Sequence, residues 1–253
     1  MKYPDLPPVI QAVGLACVPV DHMPPCTALV RKPVAAAVVT LVERNDGHRD
    51  AIVSCMSDVR DMELPLPVLI NDALTPVAPT IITQHDCEVL ALDAASRRFF
   101  AEPQLGRLAS AEGVIDPVAM FGPGHDEAAL CRRLGIPAST ASDRDIAKWW
   151  NRSAPMATED AALTVAVSRM MLWAHGASFQ HGSPDAFFEA LLPLRERLMD
   201  LEGERPALKP LVASRPFNRA ASFANYYREH RAKRAAGDDQ SRWLTFADGQ
   251  FYV

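Results

Sequence analysis

The sequence predicts an α/β protein built on a mixed sheet, and two observations predict it. Three apolar runs near the N-terminus, 9–20, 34–43 and 50–57, are long enough for buried strands and follow one another closely. After them, short β-branched runs alternate with helix-period segments, and from residue 156 the pattern is largely helical. An antiparallel meander that feeds α/β crossovers places antiparallel and parallel pairs in one sheet, with helices on its faces.

The elements follow in order. "VIQAVGLACVPV" (9–20) is a first strand ended by prolines, "VAAAVVTLVE" (34–43) a second and "DAIVSCMS" (50–57) a third. Asn45-Asp46-Gly47, between the last two, supplies the positive-φ residues of a tight hairpin. "PVLINDAL" (67–74) is a short helix, and "PTIIT" (79–83) a short strand with a β-branched core. Residues 87–100 carry Val89, Leu92, Ala95 and Phe99 at helical spacing. "GVIDPVAMF" (113–121) reads as a further strand or strand end. "DEAALCRRLGI" (126–136) is a helix with Asp126 and Glu127 in its first turn and Gly135 as its stop. The helix over 156–175 has Leu163, Val167, Met170 and Ala174 as its apolar stripe and Gly176 as its expected end. Another helix spans 184–201, a basic amphipathic helix and polar linker span 215–242, and the last residues form a hairpin around Asp248-Gly249. The order β-β-β-α-β-α-β-α is compatible with an RNase H-like architecture over residues 1–175, followed by a helical extension over 176–253. Other α/β folds share that order.

Composition narrows the function classes. Of 253 residues, 49 % are hydrophobic and 23 % charged, the balance of a soluble globular protein. A net charge of −5 argues against a uniformly basic nucleic-acid binder and leaves room for a local basic face. Cys17, Cys26, Cys55, Cys87 and Cys131 are odd in number and form no C-x-x-C pair, which points to free thiols in a reducing cytoplasm. The N-terminal stretch, broken by Asp5 and several prolines, is not expected to be a signal peptide. No uninterrupted run of 18 apolar residues predicts a membrane span. P-loop, Rossmann, serine-hydrolase and zincin motifs are missing.

One stretch stands out. "TIITQHDCEVLAL" (80–92) turns from β-branched to polar at Gln84, His85, Asp86 and Glu88, then apolar again. With "LPVLINDALTPVAP" before it, this stretch resembles the second motif of bacterial proteins predicted to be 3′–5′ exonucleases, relatives of the proofreading domain of family B DNA polymerases and members of the DEDD group. "GVIDPVAMF", "DEAALCRRLGIP" and "MATEDAALTVAVSRMML" resemble further segments of that family, so the likeness spans 9–175. In the family, four carboxylates hold two divalent metals that clamp the scissile phosphate. The resemblance puts Asp86 at the second-motif aspartate and Asp160 at the third, as ligands of Mg²⁺ or Mn²⁺. The first motif, Asp-x-Glu, aligns with Gly14 and Ala16, and the third-motif tyrosine with Met156. The resemblance therefore implies a divergent exonuclease-like protein with weak or absent activity. A non-catalytic binding or scaffolding protein and an active nuclease with relocated carboxylates (Glu43, Glu88 or Asp116) are the alternatives.

Each of these residues also has a structural role open to it. Asp86 is a metal ligand or a helix N-cap. His85 is a ligand or a loop histidine. Asp160 is a ligand or, with Glu159, a helix-dipole partner. Asp116 points into a cleft or caps the turn before Pro117. Lys148, Trp149 and Arg152 grip single-stranded DNA or DNA 3′ ends, or the tandem Trp149-Trp150 fills core and rim. The basic helix bearing Arg215, Arg219, Arg228, Arg231, Lys233 and Arg234 tracks phosphates, docks an acidic protein partner, or is solvated.

Overall fold

The computed structural model describes residues 6–19, 31–58, 64–76, 78–96, 103–235, 245–247 and 250–252. Three strands, β1 (Val9–Pro19), β2 (Arg31–Glu43) and β3 (Arg49–Ser57), form the expected antiparallel meander. The Asn45–Gly47 turn closes the β2–β3 hairpin, with Gly47 at a φ of 76°. The chain then crosses through helix α1 (Leu66–Ala73) to β4 (Thr80–Ile81), which pairs parallel with β1. Helices α2 (Gln84–Ser96) and α3 (Pro103–Ala109) lead to β5 (Val114–Ile115), parallel to β4. The sheet order is β3-β2-β1-β4-β5, with β2 reversed relative to the other four. This is the mixed sheet of the RNase H-like architecture, flanked by helices.

Helices divide between the faces by strand alternation. Val13, Leu15 and Cys17 of β1 pack with α1, α2 and α3. Ala12, Ala16 and Val18 pack on the opposite face against α4 (Glu127–Leu134), α5 (Asp143–Asn151) and α6 (Pro155–His181). Helices α7 (Asp185–Glu202), α8 (Lys209–Val212) and α9 (Arg215–Ala235) add Phe187, Phe188, Leu191 and Phe217 to that same core, so the C-terminal helices and the sheet share one interior. Strands β6 (Thr245–Ala247) and β7 (Gln250–Tyr252) form the expected terminal hairpin, while its Asp248-Gly249 turn lies outside the described residues.

Three local expectations need correction. The short strand over 79–83 shrinks to two residues, because the chain turns into α2 at Gln84 rather than Cys87. Of the strand or strand end expected over 113–121, only Val114–Ile115 is strand, and a 3₁₀ turn (Ala119–Phe121) follows it. Gly176 does not end α6: the helix continues to His181 and stops at Gly182, a left-handed C-cap with a φ of 61°. A Cβ on Gly176 would press on the Met120 side chain, about 3.1 Å away, so this glycine serves packing. Helices α3 and α5 complete elements that the sequence pattern left unassigned.

Candidate functional site

The site forms where β4 ends and β1 runs on. Ladder bonds alternate along β1: Gln11 donates to Pro79 O on the β4 side, so Val13 directs its carbonyl to that side too. With β4 only two residues long, no strand on that side pairs with Val13. The side chain of Arg169, from α6, takes the strand's place and donates from Nη1 to Val13 O at 2.9 Å.

Arg169 is the centre of a buried ion cluster. Nη1 also donates to Asp86 Oδ2 at 2.7 Å, and Nη2 to Thr83 Oγ1 at 3.2 Å. Nε and Nη2 form a fork on Glu127, at 3.1 and 3.2 Å. All five guanidinium N–H groups thus have an acceptor. Arg169 is 4 % exposed and Asp86 8 %. Burial alone would lower the Arg169 pKa, but Asp86 and Glu127 outweigh it and hold the guanidinium charged.

The helix that brings Arg169 is seated by a glycine. Ala162, Ala166 and Arg169 lie at i, i+4 and i+7, one stripe of α6 facing β1. A Cβ on Gly14 would fall inside the van der Waals envelope of Ala162 O and Ala166 N. The α6 backbone therefore fills the space where an acid at position 14 would stand. Ala16, 1 % exposed, sits in the same interface.

A cleft of about 240 Å³ opens beside this cluster, between β1, α4, α5 and α6. Its wall includes Cys17, Arg31, Asp86, Glu127, Cys131 and Arg169. Arg31 pairs with Asp143 across it at 2.5 Å. Burial, with Asp86 adding to it, pushes the Cys17 thiol up to about 12; burial and Glu127 do the same for Cys131. Both thiols stay protonated near neutrality, so neither is a ready nucleophile or thiolate ligand.

The other sequence-derived residues distribute as follows. Asp86 lies inside the first turn of α2 rather than before it, and it pairs with Arg169. His85 and Glu88 are exposed on the same helix. Asp116 follows β5 at the same end of the sheet and accepts from Val118 N at 2.9 Å, stabilising the turn after Pro117. Asp160 and Glu159 each accept from Arg205 at 2.7 Å, and Glu159 also accepts from Ser57 Oγ at 3.0 Å. Nine residues separate Asp160 from Arg169, about 14 Å along the helix axis and half a turn around it. Asp86 and Asp160 are thus held by different arginines at different places on α6. Trp150 donates from Nε1 to Asp58 O at 3.1 Å and lies under Lys32, while Trp149 is half-buried against the main core. Lys148 and Arg152 are exposed. On α9, Arg231 donates to Gly47 O and pairs with Glu189, and Arg228 approaches Glu196 at 4.0 Å. Tyr227 donates to Asp185 and Glu189.

These side chains do not make a two-metal cage. Asp86 and Glu127 already share one cation, position 14 has no room for a carboxylate, and Asp160 is engaged elsewhere. Among the described residues, no group of three or more His, Cys, Asp or Glu side chains is placed to hold a metal ion. No helix among them is long and apolar enough to cross a membrane. Arg169, the residue that organises the site, was not singled out by the sequence motifs. Its signal is an arginine inside the apolar run "LTVAVSRMMLWAHGASF", where a charge needs a partner. No family model, curated protein or solved structure matches the chain.

Proposed function

We propose that this chain is a divergent, exonuclease-like protein that holds single-stranded nucleic acid without cutting it. The observation that carries the reading is Arg169. Its fully committed guanidinium supplies, at Asp86 and Glu127, the positive charge that metal ions supply in a two-metal nuclease. Both carboxylates are already held by one guanidinium and its hydrogen bonds, which favours binding over metal-dependent hydrolysis.

The exposed face of α5, on the far side of the helix from the cleft-lining Ile146, supports a nucleic-acid strand as the partner. Arg144, Lys148 and Arg152 stand at i, i+4 and i+8, all exposed, with no ion pair among the described residues. Successive charges on this ridge are about 6 Å apart along the axis, and half-buried Trp149 offers a face for stacking. The free thiols of Cys17, Cys55, Cys87 and Cys131 fit a cytoplasmic setting.

The test is fluorescence anisotropy of a labelled single-stranded oligonucleotide over a salt series, beside a degradation assay with Mg²⁺ or Mn²⁺. Binding without degradation is expected. The Arg144→Ala/Lys148→Ala/Arg152→Ala variant should flatten the log–log salt slope by about 2. Metal-dependent degradation that disappears in Asp86→Ala would overturn the non-catalytic reading. Absence of binding at low salt would overturn the nucleic-acid reading and favour a protein scaffold.

A further inference from the structure

We propose that β3 is a self-association edge, at which a second copy of this chain continues the sheet. Strand β3 lies at the end of the sheet, with β2 as its one strand neighbour. Asp58 donates to Val34 O, and Arg44 donates to His48 O. These two bonds fix the ladder phase: Asp50, Ile52, Ser54 and Met56 bond towards β2. Ala51, Val53 and Cys55 therefore direct both N–H and C=O away from the sheet. Among the described residues, none of these six groups has a hydrogen-bond partner.

The edge is also undefended. Residues 51–56, "AIVSCM", contain no proline, glycine or charged residue, and the β2–β3 register runs without a bulge. These are the devices that usually block edge-to-edge pairing. Ile52 is 52 % exposed on the same strand, and Met199 of the adjoining helix α7 is 47 % exposed.

A second copy fits this edge by its own symmetry. A two-fold axis through Val53 sets Val53 opposite its mate and Ala51 opposite Cys55. Every outward N–H then meets an outward C=O, giving six hydrogen bonds across one isologous contact. The flank carries both signs of charge: Arg197 and Asp200 of α7, together with Asp50, line a groove beside the edge. Arg197 and Asp200 have no ion pair among the described residues, and a two-fold lets each sign face the other.

Sedimentation velocity of the full chain over a concentration series tests the proposal. The wild type should show twice the 27.7 kDa monomer mass. Val53→Pro removes one outward N–H and no bond to β2, a position where a strand tolerates proline. It should sediment as a monomer with unchanged far-UV circular dichroism. Ile52→Lys, which leaves the backbone intact, should also weaken the dimer and decides the matter should Val53→Pro unfold. A wild type that stays monomeric, or a dimer that survives both folded variants, overturns the proposal.

Discussion

Replacing Arg169 with methionine tests the site most directly. The substitution keeps an unbranched apolar stem and removes the guanidinium. Asp86, whose side chain is 11 % exposed, then loses its partner, while Glu127, at 30 %, turns towards water. Stranding one member of a buried pair costs about 3–5 kcal/mol. The carbonyl of Val13 and the hydroxyl of Thr83 also lose a donor. Both accept from a charged donor, so their loss adds to the cost and a total near the upper end of that range, about 5 kcal/mol, is expected. For a chain of this length, about 5 kcal/mol corresponds to a fall in Tm of about 10–20 °C. Urea denaturation near neutral pH measures it. Adding Asp86→Leu to Arg169→Met should restore part of the loss, because an apolar pair replaces a stranded charge. A cost below about 1 kcal/mol, as for an exposed ion pair, would refute the central role of Arg169. So would a double variant no more stable than the single one.

The remaining predictions address the scaffold. Gly14→Ala should cost about 3 kcal/mol in urea denaturation, because a methyl group there forces α6 off β1; a neutral result would mean that the helix shifts freely. Arg205→Ala should cost about 2 kcal/mol, since Glu159 and Asp160 both lose the cation at 2.7 Å; equal stability in high and low salt for both proteins would count against it. Burial lowers His175 to about 4 from 6.5. The unfolded chain therefore binds the extra proton first, and its contribution is complete above pH 6.5 and lost as pH falls towards 4, about 3 kcal/mol in all. Thermal melts across that window should show a slope that His175→Leu removes.

How much of this was legible depends on whether the information was local. The meander was readable because β1, β2 and β3 are long, and Asn45-Asp46-Gly47 names its own turn. The same holds for α4, where Asp126 accepts from Ala129 N and Gly135 adopts the left-handed stop. Gly176 misled because a glycine in a helical run signals a stop only when nothing packs against it, and Met120 lies 56 positions away. At the site, the strand-to-helix handover marked Asp86 from local pattern alone. Its partner could not be marked that way: Arg169 comes from another element, and the reason for its presence is a backbone carbonyl exposed by the shortness of β4.

Gly14, the short β4 and Arg169 act as one device. Ending β4 after two residues leaves Val13 O without a strand partner. Only a donor from α6 reaches it, and α6 comes close enough only because position 14 has no side chain. Ala162 and Ala166, also small, lie on the same stripe and let the helix settle on the strand. Arg169, one turn further along, then meets Val13, Asp86 and Glu127 together. An acid at position 14 would lift α6 and withdraw the guanidinium from its acceptors. A metal-binding carboxylate on β1 and an arginine at this centre are therefore alternatives that the packing does not allow at once. Introducing Asp-x-Glu at positions 14 and 16 alone should displace and loosen α6 rather than create a metal site. Loss of protection of the α6 amides in hydrogen exchange would report it, and a folded variant that gains tight Mn²⁺ binding would show that the two arrangements are not exclusive.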